Sequence, residues 1–318
     1  MLVAVTGGTG FIGKKLVTRL VGQGDTVRLL TRRSTTSEKS SLLEMHECDL
    51  VAVGVNELSS MLEGVDVLYH CAGQLTNTSV MRELHVNATR KLAEAASGRI
   101  KHWVQLSSVG VYGPVSEGSV TEETPLSPVG DYEITKTESD RIVVEAANRG
   151  AFSYSILRPS NVFGADMSNQ SLFGMVDMIN KGLFFFIGKP GASANYIHVD
   201  NVVEGLIRCG TIPAAKGRVY NLSDYCDLEL FVSYICRALG KDSPQLRLPL
   251  QPARWLAKLA AIVPVFPLTA SRVNALTNRS RYSTLRIEKE LGYVATVTLE
   301  AGMQEMVAAW KMTRQHAS

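Results

Sequence analysis

The stretch "LVAVTGGTGFIGKK", residues 2–15, decides the fold. A short β-branched run ends in glycines and passes straight into an amphipathic run in which Ile12, Leu16, Val17 and Leu20 recur at helical spacing. The glycines fit GxGxxG through Gly8, Gly10 and Gly13, and equally GxxGxxG through Gly7, Gly10 and Gly13. A bare glycine pattern is a weak signal and can mark a merely structural turn. Between a strand and a helix it is the context a dinucleotide-binding loop requires. There the glycines let backbone N–H groups approach a pyrophosphate at the helix N-terminus.

Outward from this loop, short apolar runs alternate with longer amphipathic ones. The strand-like runs are "TVRLLT" (26–31), "MHECDL" (45–50), "VDVLYHCAG" (65–73), "HWVQLSS" (102–108) and "FSYSILRPS" (152–160). Between them lie helix-like stretches at 79–97 and from "YEITK" to about Asn148. Such alternation predicts an α/β chain with a doubly wound parallel sheet of the Rossmann type. Past residue 160 the pattern becomes mostly helical, with one clear strand, "RVYNLS" (218–223). Residues 1–160 are therefore expected to bind the dinucleotide, with 196–223 returning to that sheet. Residues 161–195 and 224–318 are expected to form a smaller, mostly helical C-terminal substrate lobe.

Composition narrows the class. Of 318 residues, 45% are hydrophobic and 20% charged, the profile of a globular chain and not a disordered one. A net charge of +3, with no basic stripe interleaved with aromatics, argues against nucleic acid. Cys48, Cys71, Cys209, Cys226 and Cys236 are scattered, odd in number and without a CxxC, which predicts a reduced compartment and no metal site. The N-terminus lacks the basic region and cleavage site of a signal peptide, so a cytoplasmic location is expected. The most lipophilic run, "WLAKLAAIVPVFPL" (255–268), is broken by Lys258, Pro264 and Pro267. It falls short of the roughly 20 residues a membrane span needs, so a buried or interfacial helix is expected and no membrane partner.

The end of the second strand bears on the cofactor. NAD-binding folds usually place an acid there for the ribose 2′-OH. This chain reads Thr31, Arg32, Arg33, and adjacent arginines suit a 2′-phosphate. NADP(H) is therefore favoured over NAD(H), against the plainer view of two solvated arginines.

"GDYEITK" (130–136) places Tyr132 and Lys136 on one face of a helix. Alone, such a pair is more often a half-buried ring beside a solvated amine. Ser107 and Ser108, at the carboxyl edge of a strand, change that balance. A hydroxyl there could hold a carbonyl while the tyrosine exchanges a proton and the lysine lowers the tyrosine pKa.

Taken together the motifs resemble the extended short-chain dehydrogenase/reductase family, in its NAD(P)-dependent epimerase/dehydratase branch. They include "TGGTGFIG" (6–13), "CDL" (48–50), "HCAG" (70–73), "HVNATRKLAEAA" (85–96), "SSVGVYG" (107–113), "YEITK" (132–136), "RPSNVFG" (158–164), "YIHVDNV" (196–202) and "LGY" (291–293). The resemblance implies Ser108, Tyr132 and Lys136 as the catalytic group. It implies cofactor contacts from Gly7, Gly10, Phe11, Ile12, Gly13, Asp49, Leu50, Cys71, Ala72, Gly73, Asn87, Tyr132, Lys136 and Pro159, beside Arg32 and Arg33. Asn87 reads almost as well as a surface polar residue. Substrate contacts are implied for Ser108, Asn161 and Tyr196, and a homodimer through the helices at 79–97 and 131–149.

Ser108 is followed by Val109 and Gly110, which offer no acid or base for elimination and argue against a 4,6-dehydratase. Ala194 stands where sugar-nucleotide epimerases carry a diphosphate-clamping arginine, unless Arg272, Arg279 or Arg281 substitutes. The first expectation is hydride transfer at C4 of a nucleotide-activated sugar, by an epimerase or 4-ketoreductase. The second is an NADPH-dependent reductase or dehydrogenase of an apolar ketone or alcohol, similar to the 3β-hydroxysteroid and dihydroflavonol groups. Leu183, Phe184, Phe185, Phe186 and Ile187 would then line the pocket, though core is the plainer role. A non-enzymatic NADP-sensing protein is a third reading, weakened by the retained Ser108, Tyr132 and Lys136.

Overall fold

The computed structural model describes residues 1–32, 40–167, 171–260 and 269–315. The first half runs β1 (Leu2–Thr6), α1 (Phe11–Gly22), β2 (Thr26–Thr31), β3 (Leu43–Glu47), α2 (Val55–Met61), β4 (Val67–His70), α3 (Thr78–Arg82), α4 (Ala88–Ala96), β5 (His102–Leu106), β6 (Glu117–Val120) and α5 (Asp131–Asn148). There follow β7 (Ser153–Pro159), β8 (Asn161–Phe163), α6 (Ser171–Asn180), β9 (Phe186–Ile187), β10 (Ser193–His198), α7 (Val199–Thr211), β11 (Arg218–Leu222), β12 (Asp224–Asp227) and α8 (Leu228–Leu239). The chain closes with β13 (Arg247–Leu248), α9 (Leu250–Ala260), α10 (Ala270–Thr277), β14 (Arg279–Tyr282), α11 (Leu285–Leu291) and α12 (Leu299–Gln315).

Seven strands form one parallel sheet in the order β11-β7-β5-β4-β1-β2-β3. Its central strands are buried on both faces, which is why they read as largely apolar runs. One apolar layer packs α1 and α7 on Val5, Val104 and Leu157; the opposite layer packs α2, α4 and α5 around Trp103. Trp103 is fully buried, stacked on Phe152 at 5.2 Å and edge-on to His70 at 5.3 Å. A third cluster joins α6, α8 and α12 around Phe163, Phe231 and Trp310.

Two expectations need correction. The helix expected over 79–97 is not continuous: α3 and α4 are joined by a π-helical turn, Glu83–Asn87. Past residue 160 there is more than one strand: β8, β10 and β12 form a three-stranded sheet, and β9–β13 and β6–β14 form two-stranded ones. Most of these strands are two to four residues long. Runs that short carry too few alternations to register as strands.

Three histidines sit in this interior in the neutral form. Burial, reinforced by the Lys136 charge, lowers His70 and His85 to about 3, and burial lowers His102 to about 4. In the unfolded chain each takes its proton near pH 6.5. Their stabilisation is therefore complete above about pH 6.5 and is lost as pH falls toward 3–4. Asp224, raised by burial to about 6, works in the opposite sense, as does Asp140, which burial also raises. Across that window the three imidazoles outweigh Asp224. Urea midpoints should accordingly fall between pH 6.5 and 4.5; an unchanged midpoint would show that these histidines are not held neutral.

Candidate active site

The sheet order reverses between β1 and β4, the place where open α/β sheets bind ligands beyond their carboxyl ends. The glycine loop and the end of β4 meet there. After β1 comes the glycine loop. Gly7 has φ +68°, and a Cβ on it would lie 2.6 Å from the Ala72 nitrogen. A Cβ on Gly13 would lie 2.2 Å from the Gly7 carbonyl oxygen. Both positions therefore require glycine, and the loop presses against Cys71–Ala72 at the end of β4. Helix α1 starts at Gly10 with neither a side-chain cap nor an acid in its first turn. Its first N–H groups therefore face the crevice as an anion site, which fits a dinucleotide pyrophosphate.

Arg32 is exposed just past β2, while Arg33 lies outside the described residues. Asp49 is exposed after β3 and accepts the Val51 N–H at 3.0 Å; Leu50 beside it is buried. Ala72 is buried and Gly73 exposed along the crevice, and Pro159 ends β7. Asn87 is half-buried; its amide donates to Glu83 at 2.9 Å and accepts from Arg90 at 3.4 Å, both near it on the same helical segment.

Helix α5 carries the proton-transfer group. Its start is fixed by Glu133, whose carboxylate accepts the N–H groups of Val129 at 3.1 Å and Gly130 at 2.7 Å. Tyr132, in the first turn, has the Ser108 hydroxyl beside its phenol, while Ser108 Oγ accepts the Gly110 N–H at 3.1 Å. Burial raises the Tyr132 phenol above its ordinary value; the neighbouring Ser108 hydroxyl opposes this, and the charges of Asp140 and Glu133 add to it. The Lys136 ammonium, one turn on, is buried and donates to the Leu106 carbonyl oxygen. Burial pushes its pKa down, and Asp140 and Cys71 pull it back up. The sequence suggested that Lys136 lowers the tyrosine pKa. In this arrangement the lysine is turned to β5, and the phenol keeps its proton.

A buried network lies beneath. Ser107 donates to Asp140 at 2.8 Å, and Arg158 donates to the same oxygen at 3.2 Å. Arg158 also donates to the Tyr112 hydroxyl at 3.1 Å, which donates to Asn221 at 2.8 Å. Asp140 is one turn beyond Lys136, so this network sets the charge next to it.

Sequence reasoning missed His85. Its ring meets the Tyr132 ring edge-on, centroids 5.8 Å apart. Its Nε2 accepts the Gln74 N–H at 2.8 Å, so Nδ1 carries the proton and bonds the Thr135 hydroxyl at 2.9 Å. It thus ties the loop after β4 to α5. Its place two residues before Asn87 in "HVNATRK" was the available signal, but the asparagine drew the reading.

On the substrate side, Asn161 is exposed and donates to the Asn195 carbonyl at 3.1 Å. Tyr196 is stacked on Phe231, centroids 4.4 Å apart, and burial raises its phenol to about 12. Arg279 donates to the carbonyls of Lys189, Pro190 and Gly191, so it braces a loop. Arg281 lies over the Tyr225 ring at 4.2 Å, exposed and next to the β10–β12 sheet. Phe184, Phe186 and Ile187 belong to the core, as the plainer reading had it. Leu183, Phe184 and Phe185 line a cavity of about 770 Å³ with Lys241, Pro244 and Leu246; none of its lining residues is among those around Tyr132.

Comparison with known proteins places this geometry among relatives. The profile of the NAD dependent epimerase/dehydratase family matches residues 3–223. A 4-hydroxy-2-methyl-3-oxo-4-farnesyl-3,4-dihydroquinoline-1-oxide ketoreductase of Stigmatella aurantiaca is 28% identical, over 96% of this chain and 96% of its own. A UDP-glucose 4-epimerase of Vibrio cholerae is 23% identical, over 97% of this chain and 95% of its own. Among solved structures, UDP-glucuronic acid 4-epimerase of Bacillus cereus, in complex with NAD, superposes with a TM-score of 0.76 at 18% identity. That match covers 98% of this chain and 99% of the other.

Proposed function

The chain belongs to the NAD dependent epimerase/dehydratase family, and we propose that it transfers a hydride at C4 of a nucleotide-activated sugar, as a 4-ketoreductase or epimerase. The observation that carries the reaction type is the Ser108 hydroxyl beside the Tyr132 phenol, one helical turn from buried Lys136. The bound nicotinamide supplies or takes the hydride. The protein's own groups handle the oxygen and its proton. Ser108 would hold the substrate oxygen in place. Tyr132, raised by burial, keeps its phenolic proton at neutral pH and can pass it to that oxygen as the carbonyl becomes a carbinol. Turned from the Leu106 carbonyl, the Lys136 ammonium would favour the phenolate left behind. A proton donor that is protonated at rest suits the reductive direction best.

The sugar-nucleotide reading draws on the Vibrio cholerae relative and on charge. From Ser243 to Ile287 the chain carries Arg247, Arg254, Lys258, Arg272, Arg279, Arg281 and Arg286 and no acid. Of these, Arg281, exposed beside β10, is the residue we assign to the diphosphate. NADP(H) is our preferred cofactor, on the strength of Arg32.

The second reading, an apolar ketone as substrate, is favoured by the Stigmatella aurantiaca relative, by Ala194 and by Arg279 being held by carbonyls. Thermal protection separates the two. Uridine or thymidine diphosphate at about 100 times its dissociation constant should add about 2.7 kcal/mol of stability on top of NADPH. Protection by apolar carbinols alone would overturn the sugar reading, and stronger protection by NADH than by NADPH would overturn the cofactor choice.

A further inference from the structure

Helix α9 turns Ala253 and Ala257 into the lobe against Ile187 and Val273, and they are 0% and 4% exposed. On its outer side Trp255 is 70% exposed and Leu256 37%. At about 100° per residue, Arg254 and Lys258 share one flank of the helix and Pro252 and Leu256 the other, with Trp255 outermost. Neither Arg254 nor Lys258 makes an ion pair among the described residues. Leu183 and Leu246 precede the paired strands β9 and β13, the latter leading directly into α9. They are 60% and 61% exposed.

We propose that the outer face of α9 docks in the plane of an anionic bilayer surface, with Trp255 and Leu256 among the headgroups and Arg254 and Lys258 against lipid phosphates. An exposed indole beside aliphatic residues and basic side chains is the composition of an in-plane interfacial helix. Among the described residues no helix is long and apolar enough to cross a membrane, so the contact is peripheral. It departs from the sequence expectation of no membrane partner. A second copy is the poorer occupant. A two-fold contact would set Arg254 and Lys258 near their own copies, and the acid-free stretch from Ser243 to Ile287 offers nothing to neutralise them. The inference does not depend on the proposed reaction.

The test uses the full chain with sedimenting vesicles of phosphatidylglycerol and phosphatidylethanolamine, beside vesicles of phosphatidylcholine alone. The wild type should sediment with the anionic vesicles and its tryptophan emission should shift to the blue. Trp255→Ser with Leu256→Ser, and separately Arg254→Glu with Lys258→Glu, should each weaken partitioning by about tenfold or more. Both act at exposed positions, so nicotinamide binding and the melting midpoint should stay at wild-type values, which verifies the fold. Absent sedimentation, equal sedimentation of the variants or equal binding to phosphatidylcholine would overturn the proposal. So would a dimer abolished by Trp255→Ser, or saturable capture of this face by an acidic protein without vesicle binding.

Discussion

Tyr132→Phe should keep the fold and bind nicotinamide cofactor as the wild type does, yet lose about two orders of magnitude or more in turnover. The substitution removes one oxygen and leaves the ring, so the edge-on contact with His85 and the packing of α5 persist. What disappears is the proton that the substrate oxygen needs and the hydroxyl beside Ser108. The pH profile adds a second readout. Because burial raises the phenol and lowers the Lys136 ammonium, wild-type reduction should decline on the alkaline side as either group loses its proton. The residual activity of Tyr132→Phe should lack the phenol's part of that alkaline limb. Near-normal turnover in the variant would remove Tyr132 from the mechanism, leaving the family membership untouched.

The reach of the sequence differed between the halves of the molecule for a physical reason. The glycine loop was legible because close approach leaves no room for a side chain: Gly7 and Gly13 have backbone atoms where a Cβ would stand. The central parallel strands were legible because both faces are buried, which makes them largely apolar runs. The strands of the C-terminal half were largely hidden, being too short to show a period of two. The π-helical turn at Glu83–Asn87 keeps a helical apolar pattern, so 79–97 read as a single helix. At the site, Ser108, Tyr132 and Lys136 could be named from spacing and resemblance. The orientation of Lys136 toward Leu106, the role of His85 and the engagement of Arg279 by three carbonyls depend on contacts across 11 to 90 positions, which no local pattern encodes.

Asp140→Ala should destabilise the protein by about 3–5 kcal/mol, because it leaves the Arg158 guanidinium charged, buried and without its carboxylate. Asp140→Leu with Arg158→Met, which removes both charges, should recover most of that loss, since apolar replacements of buried pairs are often neutral in stability. The double variant is therefore a folded protein in which the consequence for Lys136 can be read. Cys71, His70 and His85 and the Leu106 carbonyl from neighbouring elements, and Asp140 from α5 itself, act on that ammonium. Cys71, raised by burial to about 12, and His70 and His85, lowered to about 3, are neutral. Tyr132 holds its proton, and the Leu106 carbonyl is a dipole. Asp140 alone brings a negative charge, with Arg158 behind it. Removing the pair takes away the largest opposition to the burial of Lys136, so its ammonium should lose its proton at a lower pH than in the wild type. Turnover of the double variant should then fall at neutral pH and recover as pH is lowered, with the optimum displaced to the acid side. A pair that only braced α5 against β7 would change the melting midpoint and leave the profile where it was. A stable double variant with an unmoved optimum would thus confine Asp140 and Arg158 to holding the helix, and the charge of Lys136 would have to be maintained by the cofactor instead.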